Sequence, residues 1–357
     1  MLPAGIQSRQ VEGVNGLSMH CLEAGDPGRP CVLLLHGFPE LSFSWRKVMA
    51  PLAAAGFHVL APDQRGYGLT TGWDARYDGD LASFRMSNIV ADAVALLSRL
   101  KIQKAHVIGH DFGSPVAAYC ALARPDVFRS LVLMSAPFGG VAPPVSRAGA
   151  NLHEELAKLG RKHYQWYYST PEADGDMLRC PQGVHAFLRA YYHYKSADWK
   201  GNKPFPLKGW IASELAKLPA YYVMDLDKNM AETVAPEMPA TIADWLSEEE
   251  LAVYSSSFEK TGFQGGLQWY RCATSPQFAG QFKEKTIDVP ALFIAGASDW
   301  GIHQKPGELE RMSGSACSDW RGTHLVPGAG HWVQQERPEA VNRLLAGFLG
   351  ELESARE

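Results

Sequence analysis

The stretch Val107-Ile108-Gly109-His110-Asp111-Phe112-Gly113-Ser114 decides the fold predicted for this chain. The stretch begins with apolar residues and ends with small ones, which predicts a strand, a sharp turn and then a helix. Gly109 and Gly113 stand two residues before and two residues after Asp111, the spacing of a nucleophile elbow. Small residues let the strand and helix approach closely, so the middle residue is pushed into a cleft on a strained turn. Most elbows carry serine there, and this one carries Asp111.

Strand and helix signals alternate on both sides of the elbow. Short apolar runs, such as Cys31–Leu35 and Ala291–Gly296, suit strands that are buried on both faces. The pattern also predicts helices over residues 44–55 and 86–100 and a strand over residues 57–61. This alternation predicts an α/β fold with a mostly parallel sheet that is flanked by helices.

The alternation stops after residue 137 and resumes near residue 289. The intervening segment is rich in Tyr, Trp and Lys, and it shows helical stretches with few strand signals. We therefore expect an α/β core formed by residues 1–137 and 289–357, with a mainly helical cap over residues 138–288. Both ends of the insertion meet the core where strands end, which is the edge at which open parallel sheets bind ligands.

The aspartate at the elbow determines the chemistry that the site can perform. A carboxylate with an ordinary pKa of about 3.9 is ionised at neutral pH, so Asp111 needs no base to act as a nucleophile. On an sp³ carbon it displaces a leaving group and forms an alkyl ester. Hydrolysis of that ester needs a general base for water, and His331 in Gly330-His331-Trp332 is the predicted base, oriented by Asp299. The order nucleophile, acid, histidine is that of the α/β-hydrolases.

The turn His36-Gly37-Phe38-Pro39 follows the first buried strand. The backbone N–H groups of Phe38 and Phe112 are predicted to form an oxyanion hole for the ester hydrolysis, while their side chains line the pocket.

On these motifs the sequence resembles the epoxide hydrolases of the α/β-hydrolase superfamily, over essentially its whole length. Two segments of the insertion match as well: residues 262–271 (GFQGGLQWYR) resemble a family segment that carries one tyrosine, and residues 163–167 (HYQWY) resemble a segment that carries another. The resemblance implies that Tyr270 and Tyr164 hold and polarise the oxirane oxygen. Tyr167 or Tyr168 is an alternative to Tyr164.

The resemblance also implies the order of the reaction. Asp111 attacks a ring carbon, and His331, oriented by Asp299, then activates the water that releases a vicinal diol. Phenols suit the first step because they donate hydrogen bonds to the oxygen of the opening ring. We expect Trp166 and Trp332 to contact the substrate together with Phe38 and Phe112.

Two alternatives remain open. Haloalkane dehalogenases use the same aspartate, but halide needs N–H donors, usually including a tryptophan directly after the nucleophile. Phe112 stands at that position and offers no side-chain N–H. Many epoxide hydrolases also have tryptophan there, so Phe112 departs from both patterns. A non-catalytic ligand-binding protein on the same fold is disfavoured, because the positions of nucleophile, acid and base are all filled.

Composition excludes several other classes. A net charge of −4 provides no basic surface for nucleic acid or an anionic membrane, and no apolar run approaches the roughly 20 residues that span a bilayer. Residues 1–14 lack a signal-peptide pattern, and the six cysteines are scattered, so we expect a cytoplasmic protein with free thiols. We expect no metal and no cofactor. The expected partners are a small epoxide and water, and the expected state is a monomer or a homodimer.

Overall fold

The computed structural model describes residues 2–141, 148–278, 282 and 285–355. Its centre is an eight-stranded sheet, and a separate two-stranded sheet lies in the middle of the chain. The strands are β1 (Ile6–Val14), β2 (Leu17–Ala24), β3 (Cys31–Leu35), β4 (His58–Pro62), β5 (Ala105–His110), β6 (Phe128–Met134), β7 (Arg161–His163), β8 (Val223–Asp225), β9 (Ala291–Gly296) and β10 (Trp320–Val326).

Helices form most of the remaining described structure. The α-helices are α1 (Arg46–Ala54), α2 (Met86–Arg99), α3 (Gly113–Ala123), α4 (Ala148–Lys158), α5 (Tyr164–Tyr167), α6 (Ala173–Leu178), α7 (Gly183–Lys195), α8 (Ala212–Leu215), α9 (Met230–Val234), α10 (Glu248–Thr261), α11 (Gln264–Thr274), α12 (Glu308–Arg311), α13 (Val333–Glu336) and α14 (Pro338–Ser354). Short 3-10 turns span Ser42–Trp45, Leu81–Phe84, Ala235–Glu237, Pro276–Phe278 and Trp300–Ile302, and a π-helical turn spans Met312–Ala316.

The large sheet has the order β1-β2-β4-β3-β5-β6-β9-β10. From β4 to β10 every neighbouring pair is parallel, whereas β1 and β2 extend one edge in antiparallel fashion. Strands β3, β5 and β9 are buried at every residue, which agrees with the apolar runs that predicted strands covered on both faces. The predicted α/β fold with a mostly parallel sheet is confirmed.

Two predicted element boundaries were wrong for local reasons. The helix expected over residues 44–55 begins as a 3-10 turn and becomes α-helical only at Arg46. Ser44 does not cap the helix, because its hydroxyl hydrogen-bonds the Tyr254 hydroxyl at 2.9 Å. The strand expected over residues 57–61 begins one residue later, because the N–H of Phe57 still donates to the carbonyl of Leu52 in α1.

Helices α4 to α11 and the β7–β8 pair lie between β6 and β9, in the segment where the sequence loses its alternation. The division at residues 138 and 288 stays a prediction. Helix α11 rests on the loop after β4: a Cβ on Gly265 would lie 2.1 Å from the carbonyl oxygen of Gly66. The indole N–H of Trp269 donates to the carbonyl of Arg65 at 2.9 Å. These contacts hold α11 above the carboxyl ends of the strands.

Candidate active site

The turn between β5 and α3 has the geometry of a strained elbow. Asp111 has a φ of +51°, a left-handed conformation that is uncommon for residues other than glycine. A Cβ on Gly109 would lie 2.0 Å from the carbonyl oxygen of Gly113, and one on Gly113 would lie 2.2 Å from that of Leu35. Only glycine allows these approaches, so the two glycines let the turn close and project Asp111 from the end of β5.

The loop after β3 presses against the Asp111 side chain. The backbone N–H of Phe38 donates to Oδ1 of Asp111 at 2.9 Å. A Cβ on Gly37 would lie only 2.3 Å from Cβ of Asp111, so this position requires the smallest residue. The backbone N–H of Phe112 has no acceptor among the described residues. The Phe38 amide is thus a donor at the Asp111 carboxylate, and the oxyanion hole formed by the Phe38 and Phe112 amides stays a prediction.

The imidazole of His331 lies between two carboxylates. Its Nε2 is 3.1 Å from Oδ2 of Asp111, and its Nδ1 donates to Asp299 with distances of 3.1 and 3.3 Å to the two oxygens. Asp299 follows β9 and also accepts the N–H of Gly301 at 2.7 Å. The structure therefore brings together the predicted nucleophile, base and orienting acid, which are at most 8% exposed.

Burial and partners act in opposite directions on the two carboxylates. Burial favours a neutral Asp111, but the hydrogen bond and charge of His331, with the charges of Lys195 and His110, lower the pKa of Asp111 below its ordinary value. Burial likewise opposes ionisation of Asp299, and His331 with the N–H of Gly301 lowers its pKa. Both aspartates are therefore ionised at neutral pH.

Two phenols lie above this triad. Tyr164 begins α5 and Tyr270 lies in α11, and their ring centroids are 5.8 Å apart. The Tyr164 hydroxyl donates to Gln304 at 3.2 Å, whereas no described residue pairs with the Tyr270 hydroxyl. Burial, and then the negative charge of Asp111, raises the pKa of each tyrosine well above 10. Both phenols thus stay protonated, as hydrogen-bond donors must.

The neighbouring tyrosines are occupied elsewhere. The Tyr167 hydroxyl donates to Asp176 at 2.9 Å. The Tyr168 hydroxyl meets that of Tyr191 at 3.5 Å, although the Tyr168 ring itself packs against Tyr270 with centroids 5.0 Å apart. The Tyr164 hydroxyl has partners too, since it also accepts from Gln165 at 3.1 Å, but of these three tyrosines it is the one whose pKa the charge of Asp111 raises, and its role as the second donor stays a prediction.

Comparison with known proteins agrees with this geometry. A family model for the alpha/beta hydrolase fold matches residues 30–338. Epoxide hydrolase A of Mycobacterium tuberculosis is 34% identical, covering 98% of this chain and 99% of that protein. Epoxide hydrolase B of the same organism is 32% identical, covering 97% and 99%. The chain belongs to the epoxide hydrolases of the α/β-hydrolase superfamily. Among solved structures, an epoxide hydrolase from an endophytic Streptomyces has a TM-score of 0.81 at 32% identity, covering 99% of this chain and 97% of that one.

Aromatic side chains pack around Tyr270 in this epoxide hydrolase. The rings of Phe38 and Phe112 meet Tyr270 edge-on, with centroid distances of 5.5 and 5.0 Å, and their contact with the substrate stays a prediction. Trp166 lies two residues after Tyr164 in α5, about 200° around the helix, and packs against His163. The predicted contact of Trp166 with the substrate stays a prediction.

Trp332 packs directly against the predicted base. It is fully buried, its ring lies 4.6 Å from that of His331, and its indole N–H donates to the carbonyl of Tyr192 at 2.9 Å. Trp332 therefore packs against the imidazole of His331, and its contact with the substrate stays a prediction.

Sequence reasoning missed three polar residues of the epoxide hydrolase site. Glu40 accepts from Nδ1 of His110 at 2.6 Å, and Nε2 of His110 donates to the carbonyl of His331 at 2.7 Å. Burial opposes both charges, but Glu40 raises the pKa of His110 and His110 lowers that of Glu40, so an ion pair lies under the elbow. Gln304 is the third residue, and its side-chain oxygen accepts the hydroxyl of Tyr164. A signal existed for two of them, because Glu40 and His110 adjoin motif residues.

The described residues contain no group of three or more His, Cys, Asp or Glu side chains placed to hold a metal ion. None of the helices in the described part of the chain has the length and apolar character needed to cross a membrane.

Proposed function

We propose that this chain adds water to epoxides and releases vicinal diols, with Asp111 as the covalent nucleophile and His331 as the base. The observation that carries the proposal is a pair of buried, protonated tyrosines held above an ionised aspartate. That arrangement supplies donors for an oxygen leaving group and a carboxylate for the carbon.

Ring opening is the first step. Tyr164 and Tyr270 donate hydrogen bonds to the oxirane oxygen, and a carboxylate oxygen of Asp111 attacks a ring carbon. The carbon–oxygen bond of the ring breaks, its electron pair goes to the oxygen, and a proton from a tyrosine hydroxyl neutralises that oxygen. The product of this step is an alkyl ester on Asp111.

Hydrolysis of the ester is the second step. Nε2 of His331 takes a proton from water, and the hydroxide attacks Cγ of Asp111. The N–H groups of Phe38 and Phe112 donate hydrogen bonds to the ester carbonyl oxygen as negative charge develops on it, and Asp299 stabilises the imidazolium. Collapse of the intermediate breaks the bond between Cγ and the ester oxygen, and that oxygen takes a proton from the imidazolium, which releases the diol and leaves Asp111 as a carboxylic acid. The acid returns its proton to the tyrosinate formed in the first step, which restores both the Asp111 carboxylate and the phenol.

Dehalogenation of a haloalkane is the second candidate, because it uses the same nucleophile. The site disfavours it: Phe112 presents only carbon atoms where halide needs an N–H donor, and the nearby hydroxyls suit oxygen. A non-catalytic ligand-binding role is disfavoured by the complete triad. The cytoplasmic location, and the choice between monomer and homodimer, stay predictions from the sequence.

The test is to trap the ester. The variant His331→Gln is mixed with styrene oxide and, separately, with a bromoalkane, and the intact protein mass is measured. We expect an adduct with the mass of styrene oxide, because ring opening survives loss of the base while hydrolysis stalls. The double variant Asp111→Ala/His331→Gln is the control and stays unmodified. An adduct with the bromoalkane alone would replace the proposal with dehalogenation.

A further inference from the structure

Glu336 is a buried carboxylate at the end of α13, and it is 4% exposed. Its Oε2 accepts the backbone N–H groups of Gly330 and Ala197, each at 2.9 Å, and its Oε1 accepts that of Trp332 at 2.9 Å. Among the described residues, these amides rather than a basic side chain hold the carboxylate. Burial raises its pKa to about 7 against the effect of the three N–H groups.

Two of the three amides flank the proposed base. Gly330 and Trp332 are the residues directly before and after His331, so one carboxylate restrains the backbone on both sides of the imidazole. The N–H of His331 itself donates to the carbonyl of Lys195 at 3.0 Å. Its carbonyl accepts from His110 at 2.7 Å and from the hydroxyl of Ser135 at 3.0 Å.

The third amide belongs to the segment that covers the site. Ala197 follows α7, and a Cβ on Gly330 would lie 2.6 Å from its nitrogen. The chain after α7 and the loop of His331 are therefore in direct contact, and Glu336 bonds to both.

We propose that Glu336 is a positioning residue for ester hydrolysis: it fixes the His331 loop against the segment after α7 and so holds the imidazole between Asp111 and Asp299. The inference rests on the proposed role of His331 as the base. Ring opening uses Asp111 and the tyrosines, while hydrolysis also depends on the exact placement of His331. Loss of Glu336 therefore slows the second step selectively.

The variant Glu336→Gln tests this inference. It keeps the size of the side chain but removes the charge and replaces one oxygen by an amide nitrogen, which cannot accept an N–H. Rapid quenching during a single turnover of styrene oxide, followed by intact mass measurement, gives separate rate constants for ester formation and ester loss. We expect ester loss to slow by about tenfold or more and ester formation to stay close to that of the unchanged protein. The ester then accumulates.

Glu250→Gln is the matched control. Glu250 also accepts a backbone amide, that of Ser247 at 3.1 Å, and it joins α10 to α1 through Arg46 at 2.7 Å without touching the His331 loop. We expect its two rate constants to keep the ratio of the unchanged protein. If Glu336→Gln does not fold, Glu336→Asp keeps the charge on a shorter stem and is measured in the same way, with a smaller loss in hydrolysis.

The inference fails if both rate constants fall in proportion, or if neither changes, in the folded Glu336 variant. This failure is distinguishable from that of the proposed function. When His331→Gln traps an ester from the epoxide and Glu336→Gln shows no selective loss, only the role of Glu336 is wrong. When His331→Gln traps no ester, the proposed function itself is wrong.

Discussion

On the sheet side of the site, Asp111, Asp299 and His331 are joined by polar contacts of 3.1 to 3.3 Å, whereas above them Tyr164 and Tyr270 meet through ring edges whose centroids are 5.8 Å apart. Hydrogen bonds fix direction as well as distance, while packing of aromatic rings tolerates small shifts. From this difference we expect the triad, on the sheet side, to set the reaction geometry, and the two tyrosines, on the aromatic side, to adjust to the shape of the epoxide.

The largest expected effect comes from a substitution in the triad, on the sheet side of the site. The variant Asp299→Asn removes the charge that stabilises the His331 imidazolium and presents an amide in place of a carboxylate. We expect ester hydrolysis to slow on the order of 10³-fold or more, as in other histidine–carboxylate pairs, while ring opening continues. A single-turnover measurement with styrene oxide then shows the ester accumulating.

Asp288→Asn is the control for that experiment. This carboxylate is exposed and accepts a hydrogen bond from Ser318 at 2.9 Å, away from the imidazole. Its hydrolysis rate is expected to equal that of the unchanged protein. Equal hydrolysis rates in Asp299→Asn and Asp288→Asn would remove Asp299 from the proposed mechanism.

Removing the tyrosine hydroxyls, on the aromatic side of the site, gives the next largest effect. Tyr270→Phe and Tyr164→Phe each remove one donor for the oxirane oxygen, and we expect ring opening to slow by about 10²-fold in each, the lower range for a general acid. The double variant is expected to lose more, because no donor then remains. The rate constant of ester formation is measured, and Tyr168→Phe is the comparison.

Tyr168→Phe separates chemistry from packing. It removes a hydroxyl whose contact is the Tyr191 hydroxyl at 3.5 Å, and it keeps the ring that packs on Tyr270. A small effect there and a large one in Tyr164→Phe would assign the second donor to Tyr164. The reverse result would move that role to Tyr168.

The difference between the sheet side and the aromatic side also explains which site residues could be predicted from the sequence. The elbow, the turn after β3 and the residues Asp299 and His331 lie at strand ends, where short motifs fix both the backbone and the side chain, so their positions followed from spacing. Trp166 and Trp332 were named as substrate contacts because they stand in the matched segments beside Tyr164 and His331. Whether a tryptophan faces the pocket depends on helix rotation and on neighbours from distant segments, such as Tyr192 behind Trp332. Local sequence does not encode that.

Hydrogen-bond partners that are distant in the sequence could not be predicted for the same reason. Glu40 meets His110 across 70 residues, and Tyr164 meets Gln304 across 140. The position of Glu336 beside the predicted base gave no sign that its carboxylate also reaches the segment after α7. Only the folded chain brings those amides together.

The smallest expected effect concerns pH: we expect the rate of ring opening not to fall at alkaline pH. Burial and the charge of Asp111 raise the pKa of Tyr164 and Tyr270, so each phenol loses its proton only at a pH above the ordinary tyrosine value. Deprotonation would remove the donor, and a raised pKa moves that loss to higher pH. Ring opening, measured as the single-turnover rate of ester formation, should therefore stay level from about pH 8 to about pH 11, as long as the protein stays folded by circular dichroism. A decline with its midpoint near the ordinary tyrosine pKa would mean that at least one phenol is in contact with water, and that the aromatic side of the site is more open than the sheet side on which it rests.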